Sequence, residues 1–408
     1  MSTTVADPKA AAASETPRLR GTCTACGSAG MKVFHTIDRV PTNSCILLPT
    51  RAEAEAYPCG DVQLAFCPHC GFISNVAFDP KLTEYSGRYE ETQAFSPTFN
   101  AFHDKLARSL VERHGLHDKE LIEIGCGKGE FLQLLCQLGP NRGLGYDPGY
   151  SEARGDAQGA GSMRVVRDFF SDKYTDQTAD FVACKMTLEH IPTPHAFLGA
   201  AVRTVRRDGV VFIQVPESLR ILRECAFEDV YYEHCSYFSA GSLGRLFRQL
   251  GLRVLATHVE YDGQYLTVEA TLPNGRAAAA DEPQIDDLDE LSTLVAAFPE
   301  RVKAKLGEWQ QHMARWNAQG KRVLIWGSGS KGVSFLTGIP GAENVTHAVD
   351  INPYRHGYFM PRTGQEIVGP QHLRDIRPDA IVVMNRIYQP EIRAQLDELG
   401  VSVELLAL

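Results

Sequence analysis

A short apolar strand that runs through a glycine loop directly into a helix is the feature that most constrains this 408-residue chain. The stretch Leu121-Ile-Glu-Ile-Gly-Cys-Gly-Lys-Gly-Glu-Phe131 places three glycines between the two elements. Glycine has no Cβ, so the backbone amides of such a turn can approach a ligand closely. The loop therefore predicts a ligand site at the carboxyl edge of a sheet.

Further strands follow the glycine loop and indicate a mostly parallel sheet with helices on both faces. One strand ends at Asp147, and others cover residues 180–184 and 209–215, with helical stretches between them. Alternation of short apolar strands with helices is typical of an α/β fold. A helix over residues 92–114 is expected before the sheet, because apolar residues recur there at spacings of three and four.

Two C-x2-C pairs, Cys23-Thr-Ala-Cys26 and Cys67-Pro-His-Cys70, are separated by 40 residues, and each is followed directly by glycine. The turn within each pair places both sulfurs on one side, so the four thiolates predict one tetrahedral Zn²⁺ site. Four thiolates leave no position for water, which favours a structural ion over a catalytic zinc or a redox pair. His69 is a less favoured alternative ligand. The segment between the pairs is expected to form a hairpin or loop above the metal.

Composition narrows the class of partner. The formal charge of -9 argues against a broad electrostatic grip on nucleic acid. No apolar run approaches the ~20 residues that cross a bilayer, and the N-terminus lacks a leader pattern. Eleven cysteines, an odd and scattered number, do not fit a small secreted disulfide scaffold. We expect a cytoplasmic protein that acts on a small molecule, without nucleic acid or membrane.

The residues around the glycine loop favour S-adenosylmethionine (SAM) over a dinucleotide. A dinucleotide fingerprint requires glycine at position 130, where this chain has Glu130. A carboxylate there would meet the two phosphate charges of NAD. SAM has no phosphate, and its ammonium and sulfonium groups are cations that suit Glu123 and Glu130. Gly125 and Gly127 would then line the cofactor.

Two aspartates follow the next strands of the sheet. Asp147, 18 residues beyond Gly129, is placed to accept hydrogen bonds from ribose hydroxyls. Asp168 is placed to contact the adenine amine, with Phe169 flanking the ring. The alternative for each aspartate is a helix cap or turn former. Their positions in loops at strand ends favour contact with the cofactor.

Titratable and aromatic residues cluster after two further strands. Tyr231, Glu233 and His234 follow the fifth strand, and His190 follows the fourth, in the sequence Leu-Glu-His-Ile-Pro. Ligands of open α/β sheets bind in the crevice at these strand ends. Histidine, with a reference pKa of ~6.5, is suited to removing a proton from a carbon next to a carbonyl. Single histidines are more often structural, so the cluster as a whole supports catalysis.

Residues 120–215 resemble the class I SAM-dependent methyltransferases. Beyond residue 20, the order of motifs resembles the sugar-nucleotide C-methyltransferases, which act at C3 of 4-keto-deoxyhexoses. The motifs are the two cysteine pairs, Glu84-Tyr85-Ser-Gly-Arg-Tyr89, the glycine loop, Leu-Glu-His-Ile, Tyr-Tyr-Glu-His-Cys-Ser-Tyr-Phe and a Gly-rich C-terminal unit. The resemblance implies an α/β protein whose class I methyltransferase Rossmann-like sheet is flanked by an N-terminal zinc-binding module and a C-terminal Rossmann-like domain.

The resemblance also implies roles for the clustered residues. His234 would be the base that removes the C3 proton, and Tyr231 and Glu233 would position the base or stabilise the enolate. Tyr85 and His190 would line the pocket. SAM would be the methyl donor, Zn²⁺ a structural ion and a sugar nucleotide the substrate, in deoxysugar and antibiotic biosynthesis.

The patterns divide the chain into five expected segments. Residues 1–20 form a disordered tail, and residues 21–80 an irregular zinc-binding module interrupted by prolines. Residues 81–275 form the methyltransferase domain, 276–320 a linker and helix, and 321–408 a C-terminal Rossmann-like substrate-binding domain.

A second glycine loop, Trp326-Gly-Ser-Gly-Ser-Lys-Gly332, satisfies G-x-G-x-x-G, with Asp350 at the end of the next strand. Alone this pattern predicts a dinucleotide site, and a structural loop without a ligand is the alternative. The resemblance implies instead that this unit binds the diphosphate of the substrate, for which Ser328, Ser330 and Lys331 are chemically suited. The usual stretch of the family, Gly-Ala-Ala-Ala-Lys-Gly, differs here, so the identity of the sugar stays open.

The expected function is therefore methyl transfer from SAM to carbon of a 4-keto sugar nucleotide, after His234 has removed a proton to form an enolate. Three alternatives stay open. They are methylation of oxygen or nitrogen in another small metabolite, an NAD-dependent enzyme that uses the second glycine loop, and a non-enzymatic zinc-finger binding protein. The sequence decides neither the stereochemistry nor the oligomeric state.

Overall fold

The computed structural model describes residues 21–151, 163–275 and 284–408. The predicted tail, residues 1–20, lies outside the described residues, as do residues 276–283 of the predicted linker. The described chain forms three sheets of four, seven and five strands. None of the described helices is both long enough and apolar enough to span a bilayer.

The elements follow one another in this order. The strands are β1 (Lys32–Pro41), β2 (Cys59–Phe66), β3 (Ile73–Asn75), β4 (Glu120–Ile124), β5 (Arg142–Tyr146), β6 (Met163–Val166), β7 (Ala179–Lys185), β8 (Val205–Pro216), β9 (Ser236–Tyr237), β10 (Arg253–Glu260), β11 (Tyr265–Thr271), β12 (Val323–Trp326), β13 (His347–Val349), β14 (Glu366–Val368), β15 (Ala380–Val383) and β16 (Glu404–Ala407). The α-helices are α1 (Arg51–Glu55), α2 (Pro97–His114), α3 (Glu130–Leu138), α4 (Pro194–Val202), α5 (Ser218–Glu224), α6 (Ala240–Gln249), α7 (Leu288–Ala318), α8 (Ser330–Gly338), α9 (Leu373–Ile376) and α10 (Gln389–Leu399). Single 3₁₀ turns lie at Pro80–Leu82, Asp172–Tyr174, Leu188–His190, Phe227–Asp229, Ala342–Asn344, Pro353–Arg355, Pro370–His372 and Arg386–Tyr388.

The central sheet has the strand order β10-β11-β8-β7-β4-β5-β6. The five strands from β8 to β6 are parallel, and β11 and β10 join antiparallel at one edge. Because the chain leaves β4 first towards β5 and later towards β7, the carboxyl ends of these strands open a crevice. The predicted α/β sheet is confirmed.

The helix predicted over residues 92–114 begins later than expected, at Pro97. Ser96 accepts a hydrogen bond from the backbone N–H of Phe99 at 3.2 Å, and Pro97 occupies the first turn. A serine cap followed by proline is a strong start signal, and it overrides the apolar spacing that extends to Phe95. Phe95 is instead an exposed side chain ahead of the helix.

The zinc-binding module was expected to be irregular, and this expectation is wrong. Strands β1 and β2 form an antiparallel hairpin, and β3 and β9 extend it to four strands in the order β1-β2-β3-β9. Pro41 ends β1, Pro58 precedes β2 and Pro68 follows it, so the prolines lie where no ladder hydrogen bond is lost.

The C-terminal sheet is entirely parallel, in the order β14-β13-β12-β15-β16. Helix α7, 31 residues long, connects it to the rest of the chain. One hydrophobic core joins the N-terminal sheet, α7 and the C-terminal sheet, and includes Phe66, Phe298, Trp316 and Ile325 of β12. Tyr232 belongs to the same core, which fixes the residues around it.

Candidate active site

The first glycine loop turns from β4 into α3 through three residues with positive φ. The φ angles are 71° at Gly125, 56° at Gly127 and 83° at Gly129. A Cβ on Gly125 would lie 2.1 Å from Thr187 Oγ1, and one on Gly127 would lie 2.8 Å from Glu91 Oε1. Glycine is therefore required both by the conformation and by the close neighbours.

Asp147 closes β5 and braces this loop. Its Oδ2 accepts a hydrogen bond from the N–H of Gly127 at 2.9 Å, and its Oδ1 accepts one from Gly149 at 2.8 Å. Each carboxylate oxygen keeps a further lone pair for a ligand hydroxyl. Asp168, after β6, accepts from the hydroxyl of Tyr174 at 2.8 Å and pairs with Lys173.

A cavity of about 670 Å³ lies over the crevice and is lined by residues from both the glycine loop and the polar cluster. The predicted site residues that it brings together are Tyr85, Glu123, Gly125, Gly127, Asp147, Asp168, Phe169, His190, Tyr231, Glu233, His234 and Ser330. Ser328 and Lys331 do not line it. The volume is in the range of small-molecule and cofactor sites.

The two histidines stand together on one wall of this cavity. Their ring centroids are 4.8 Å apart. The Nε2 of His234 lies 2.7 Å from the hydroxyl oxygen of Tyr231. The Nδ1 of His190 lies 3.0 Å from the carbonyl oxygen of Glu233 and 2.9 Å from the hydroxyl oxygen of Tyr85. A carbonyl oxygen only accepts, so the Nδ1 of His190 carries the hydrogen.

Burial controls the charge of these groups. It lowers the pKa of His190 to about 4 and that of His234 well below its usual value. Burial also raises the pKa of Glu233 to about 7. The Oε2 of Glu233 accepts a hydrogen bond from the N–H of Ser44 at 2.9 Å, and its Oε1 accepts one from Tyr89 at 3.3 Å. Two neutral imidazoles are therefore the resting state at neutral pH.

The loop of residues 230–238 carries three of these residues, and the N-terminal sheet holds it. Strand β9 at its end pairs with β3, and the N–H of Asn75 donates to the carbonyl of Cys235 at 2.9 Å. The hydroxyl of Tyr232 accepts from the N–H of Asp79 at 2.8 Å. A Cβ on Gly60 would lie 2.2 Å from the ring of Tyr232, so β2 packs tightly on the loop.

Sequence reasoning missed several residues of the cavity wall. Glu189 is 1% exposed, and burial raises its pKa to about 8. Lys185 at the end of β7, Gln214 in β8 and Tyr89 also line the cavity. Glu189 precedes His190 in the chain, and a charged residue with no apolar spacing around it gives no sign of such deep burial. Tyr89 was noted only as part of a motif.

The four cysteines of the two pairs converge. Cys23 Sγ lies 3.6 Å from Cys70 Sγ, and Cys26 Sγ lies 3.7 Å from Cys67 Sγ. Tetrahedral Zn–S bonds of ~2.3 Å place sulfurs about 3.8 Å apart, so the set fits one ion. His69 is exposed and stands outside this group. None of the four cysteines lines the cavity.

In the second glycine loop, Ser328 and Lys331 already bind other residues of the protein. Ser328 is fully buried, its N–H donates to Asp350 Oδ2 at 3.0 Å, and its hydroxyl contacts the same oxygen. Lys331 Nζ lies 2.5 Å from Asp229 Oδ1. Ser330 is the member of the predicted phosphate-binding trio that reaches the cavity.

Comparison with known families agrees with this geometry. A family described as "Methyltransferase domain" matches residues 98–257, and one described as "C-methyltransferase C-terminal domain" matches residues 267–402. Two solved structures of low similarity are the magnesium protoporphyrin IX methyltransferase (ChlM) from Synechocystis PCC 6803 with bound SAH and the 1,6-didemethyltoxoflavin-N1-methyltransferase of Burkholderia thailandensis. They are 15% and 18% identical, with TM-scores of 0.35 and 0.34. They cover 43% and 41% of this chain, and 84% and 77% of their own.

Curated relatives are of two kinds. The ubiquinone biosynthesis O-methyltransferase of Pseudomonas aeruginosa (strain UCBPP-PA14) is 32% identical over 110 residues, which is 26% of this chain and 47% of that protein. The C-methyltransferase NovU of Streptomyces niveus is 30% identical over 310 residues, which is 71% of each protein. With its class I methyltransferase fold, this chain is a SAM-dependent methyltransferase and belongs to the family of C-methyltransferases that includes NovU.

Proposed function

We propose that the enzyme methylates C3 of a 4-keto sugar nucleotide, with His234 as the base. The observation that carries this proposal is the position of His234, buried beside Tyr231 in the same cavity as the glycine loop. A carbon next to a ketone must lose a proton before it can attack a methyl group, and an imidazole within reach of the methyl donor can remove it.

The glycine loop and its surroundings fit SAM. Without a Cβ at Gly125 and Gly127 the backbone of the loop itself lines the cavity, and Asp147 stands at the next strand end to accept from ribose hydroxyls. Glu123 lies beneath the loop on the cavity wall, and Asp168 and Phe169 line the side where an adenine ring would lie. When bound, SAM supplies a methyl carbon made electrophilic by its sulfonium.

The residues of the polar cluster have separate tasks in this proposal. The imidazole of His234 accepts the C3 proton, and the hydroxyl of Tyr231 hydrogen bonds to the ring or to the enolate oxygen. Glu233 holds the loop through its bonds to Ser44 and Tyr89. His190 and Tyr85 line the wall beside His234. Holding the reactants in line supplies up to ~7–11 kcal/mol of barrier reduction.

Zn²⁺ is proposed as a structural ion held by Cys23, Cys26, Cys67 and Cys70, in agreement with their sulfur separations. For the substrate diphosphate, Ser330 and the amides at the start of α8 are the supported contacts. Ser328 and Lys331 would reach it only by leaving Asp350 and Asp229.

The direct test is transfer of radiolabelled methyl from SAM to thymidine, uridine and guanosine diphosphate-linked 4-keto-6-deoxyhexoses. The 4-reduced sugar nucleotides are the matched control, because without a ketone the C3 hydrogen is not acidic. We expect label on the keto sugars alone. Equal incorporation into both would eliminate the enolate mechanism.

Methylation of oxygen is the second candidate, and the similarity to the ubiquinone O-methyltransferases favours it. An O–H acceptor is more acidic and needs less help from a base. His234→Ala would then retain most activity, whereas C-methylation predicts a loss of ~10²–10⁴-fold in kcat.

A further inference from the structure

Glu189 is a buried carboxyl group on the cavity wall that the proposed reaction leaves without a task. It lies in the 3₁₀ turn Leu188–His190, and neither carboxylate oxygen has a hydrogen-bond partner among the residues that the structure describes. Its Oε1 lies 4.0 Å from the Nε2 of His234. A buried polar group without a partner costs ~1–3 kcal/mol, so a carboxyl kept in this state points to a partner that appears during the reaction.

We propose that Glu189 takes over the proton that His234 removes from the substrate carbon, an inference that rests on the proposed function. The C3–H bond breaks, its electron pair becomes the enolate, and its proton joins the imidazole. Whichever ring nitrogen gains it, the resulting cation carries an N–H at Nε2, which lies 2.7 Å from the Tyr231 hydroxyl oxygen and 4.0 Å from Glu189 Oε1. The carboxylate accepts this proton, and the ring becomes neutral again.

The rest of the reaction balances without any further reactant. The enolate carbon forms a bond to the methyl carbon, and the electron pair of the broken C–S bond stays on sulfur. Glu189 is left as a carboxylic acid and returns its proton to water when the product leaves. Catalytic hydrogen bonds are often long before substrate binds, so 4.0 Å is compatible with a contact that shortens during the reaction.

The surroundings of His234 explain why it needs such a partner. Burial disfavours its cation, and the neighbouring His190 and Lys331 add to that effect. Burial acts on the carboxyl in the opposite direction and raises the pKa of Glu189, so the carboxylate is the stronger base of the two. The titratable groups that surround Glu189 are Cys184 and Lys185 of β7, His190, His234, Cys235, Tyr85 and Tyr265.

The proposal is tested by hydrogen exchange, which reports proton removal without methyl transfer. The enzyme is incubated in D₂O with S-adenosylhomocysteine and each of the three 4-keto-6-deoxyhexose nucleotides, and loss of the C3 proton is followed by NMR. We expect wild type to exchange the proton and Glu189→Gln, which keeps the shape but cannot accept a proton, to slow exchange by about 10²-fold. In turnover, kcat falls to a similar extent while the KM for SAM stays within about twofold.

Glu217→Gln is the matched control. Glu217 is also a buried carboxyl whose pKa burial raises, to about 7, but it caps α5 outside the cavity. Its exchange rate should stay within about twofold of wild type, because a glutamine oxygen still caps the helix. Glu189→Asp keeps the carboxylate and should recover part of the exchange. Thermal unfolding of each variant establishes that it is folded.

The pH dependence of kcat gives a further test, because a purely structural role of Glu189 would not affect it. Glu189 accepts a proton only when ionised, so wild-type kcat should rise as pH increases through about 8 and level off above it. The kcat of Glu189→Gln should not show this rise with pH.

Three results would overturn the inference. Exchange by folded Glu189→Gln at the wild-type rate would remove Glu189 from the proton path and leave the proposed function intact. Absence of exchange by wild type on every keto sugar would remove the proposed function and the inference together. A second tightly held metal ion per chain, lost on Glu189→Gln, would make Glu189 a ligand instead of a proton acceptor.

Discussion

Close packing around single residues decides what the glycine loop can accommodate. Gly127 has a φ of 56°. A Cβ at this position would also lie 2.8 Å from Glu91 Oε1. Gly307, in α7, has nothing within 4 Å of the equivalent point. A side chain is therefore unfavourable at Gly127 but has room at Gly307, so substitutions at the two positions can be compared.

We predict that Gly127→Ala weakens binding of S-adenosylhomocysteine about tenfold. The left-handed conformation costs a non-glycine residue ~1–2 kcal/mol, and the methyl group displaces Glu91 at the cavity rim. Isothermal titration calorimetry measures the dissociation constant. Gly307→Ala should bind as wild type does, and equal affinity of both variants would contradict a cofactor role for this loop.

The protonation state of Glu123, in the cavity wall, affects the free energy of unfolding. Burial raises its pKa to about 8, while Lys185 opposes the shift and Glu130 and Asp147 add to it. The unfolded chain has an ordinary glutamate pKa near ~4.5, so the folded state binds the proton more tightly. The stability that Glu123 contributes is therefore complete below that unfolded value and is lost as pH rises through about 8.

We predict that Glu123→Gln flattens the fall in Tm of the cofactor-free protein between pH 5 and pH 8. Between the two pKa values, each pH unit changes the free energy of unfolding by about 1.4 kcal/mol at most. A change of ~1 kcal/mol shifts Tm by roughly 2–4 °C. Differential scanning fluorimetry should show the variant equal to wild type near pH 5 and more stable near pH 8. A variant less stable at both values would refute the assigned direction.

At the scale of elements, the pairing of β9 with β3 connects the N-terminal sheet to the candidate active site. Strand β9 begins two residues after His234, and within the described sheets it pairs with β3 alone. The cysteine cluster packs in the same core as Phe238. The ring centroids of Phe72 and Phe238 are 5.1 Å apart. Loss of the proposed zinc ion should therefore disturb the loop of residues 230–238.

We predict that Cys23→Ser lowers the zinc content, the Tm and the rate of methyl transfer together. A structural Zn²⁺ contributes ~10 kcal/mol or more of folding free energy, so the N-terminal sheet loosens without it. Cys59→Ser is the control, since Cys59 is half-buried in β2 and stands outside the cluster. Full zinc content and activity in Cys23→Ser would show that the four sulfurs do not hold a structural ion.

Elements could be predicted from the sequence where periodicity was undisturbed. The parallel strands β4, β5, β7 and β8 form apolar runs, and the structure confirms them. The antiparallel strands β1 and β2 fit the hairpin or loop expected between the cysteine pairs. The module was nevertheless expected to be irregular, because prolines at strand ends resemble prolines that prevent strands. The proposed boundaries at residues 80, 275 and 320 remain a prediction from sequence.

The same distinction applies to the site. Gly125, Gly127, Asp147 and His234 could be predicted to lie near one another, because loops at the carboxyl ends of strands meet at one edge of an α/β sheet, and all four line one cavity. Glu189 could not be found, since its burial depends on β8 and the loop of residues 230–238, which are distant in sequence. Tertiary burial of a charged side chain leaves no local pattern.

At the scale of the whole molecule, a largely buried ion-pair network joins helix α8 of the C-terminal unit to the 3₁₀ turn Phe227–Asp229, which leads into the loop of residues 230–238. Lys331 at the start of α8 meets Asp229, and Asp229 also pairs with Arg220 of α5. Removing one partner of a buried pair leaves the other charge uncompensated, which costs more than losing a surface pair.

We predict that Lys331→Met lowers the free energy of unfolding by about 1–3 kcal/mol, and leaves the KM for the sugar nucleotide within about twofold. Lys321→Met breaks the more exposed pair with Glu404 and should cost less than ~1 kcal/mol. Urea denaturation and steady-state kinetics give the two readings. A large rise in KM with unchanged stability would return Lys331 to the substrate diphosphate.

The placement of β9 also decides which fragments of this protein are worth making. The family match covers residues 98–257 and contains both the glycine loop and Ser236–Tyr237, yet β3 lies outside it. A recombinant fragment cut to that range would keep the loop that we propose binds the methyl donor, and would leave the edge of β9 open to water. That range also ends inside β10 and omits β11, which joins β10 to β8, so a fragment made to bind the methyl donor has to extend at least to Thr271.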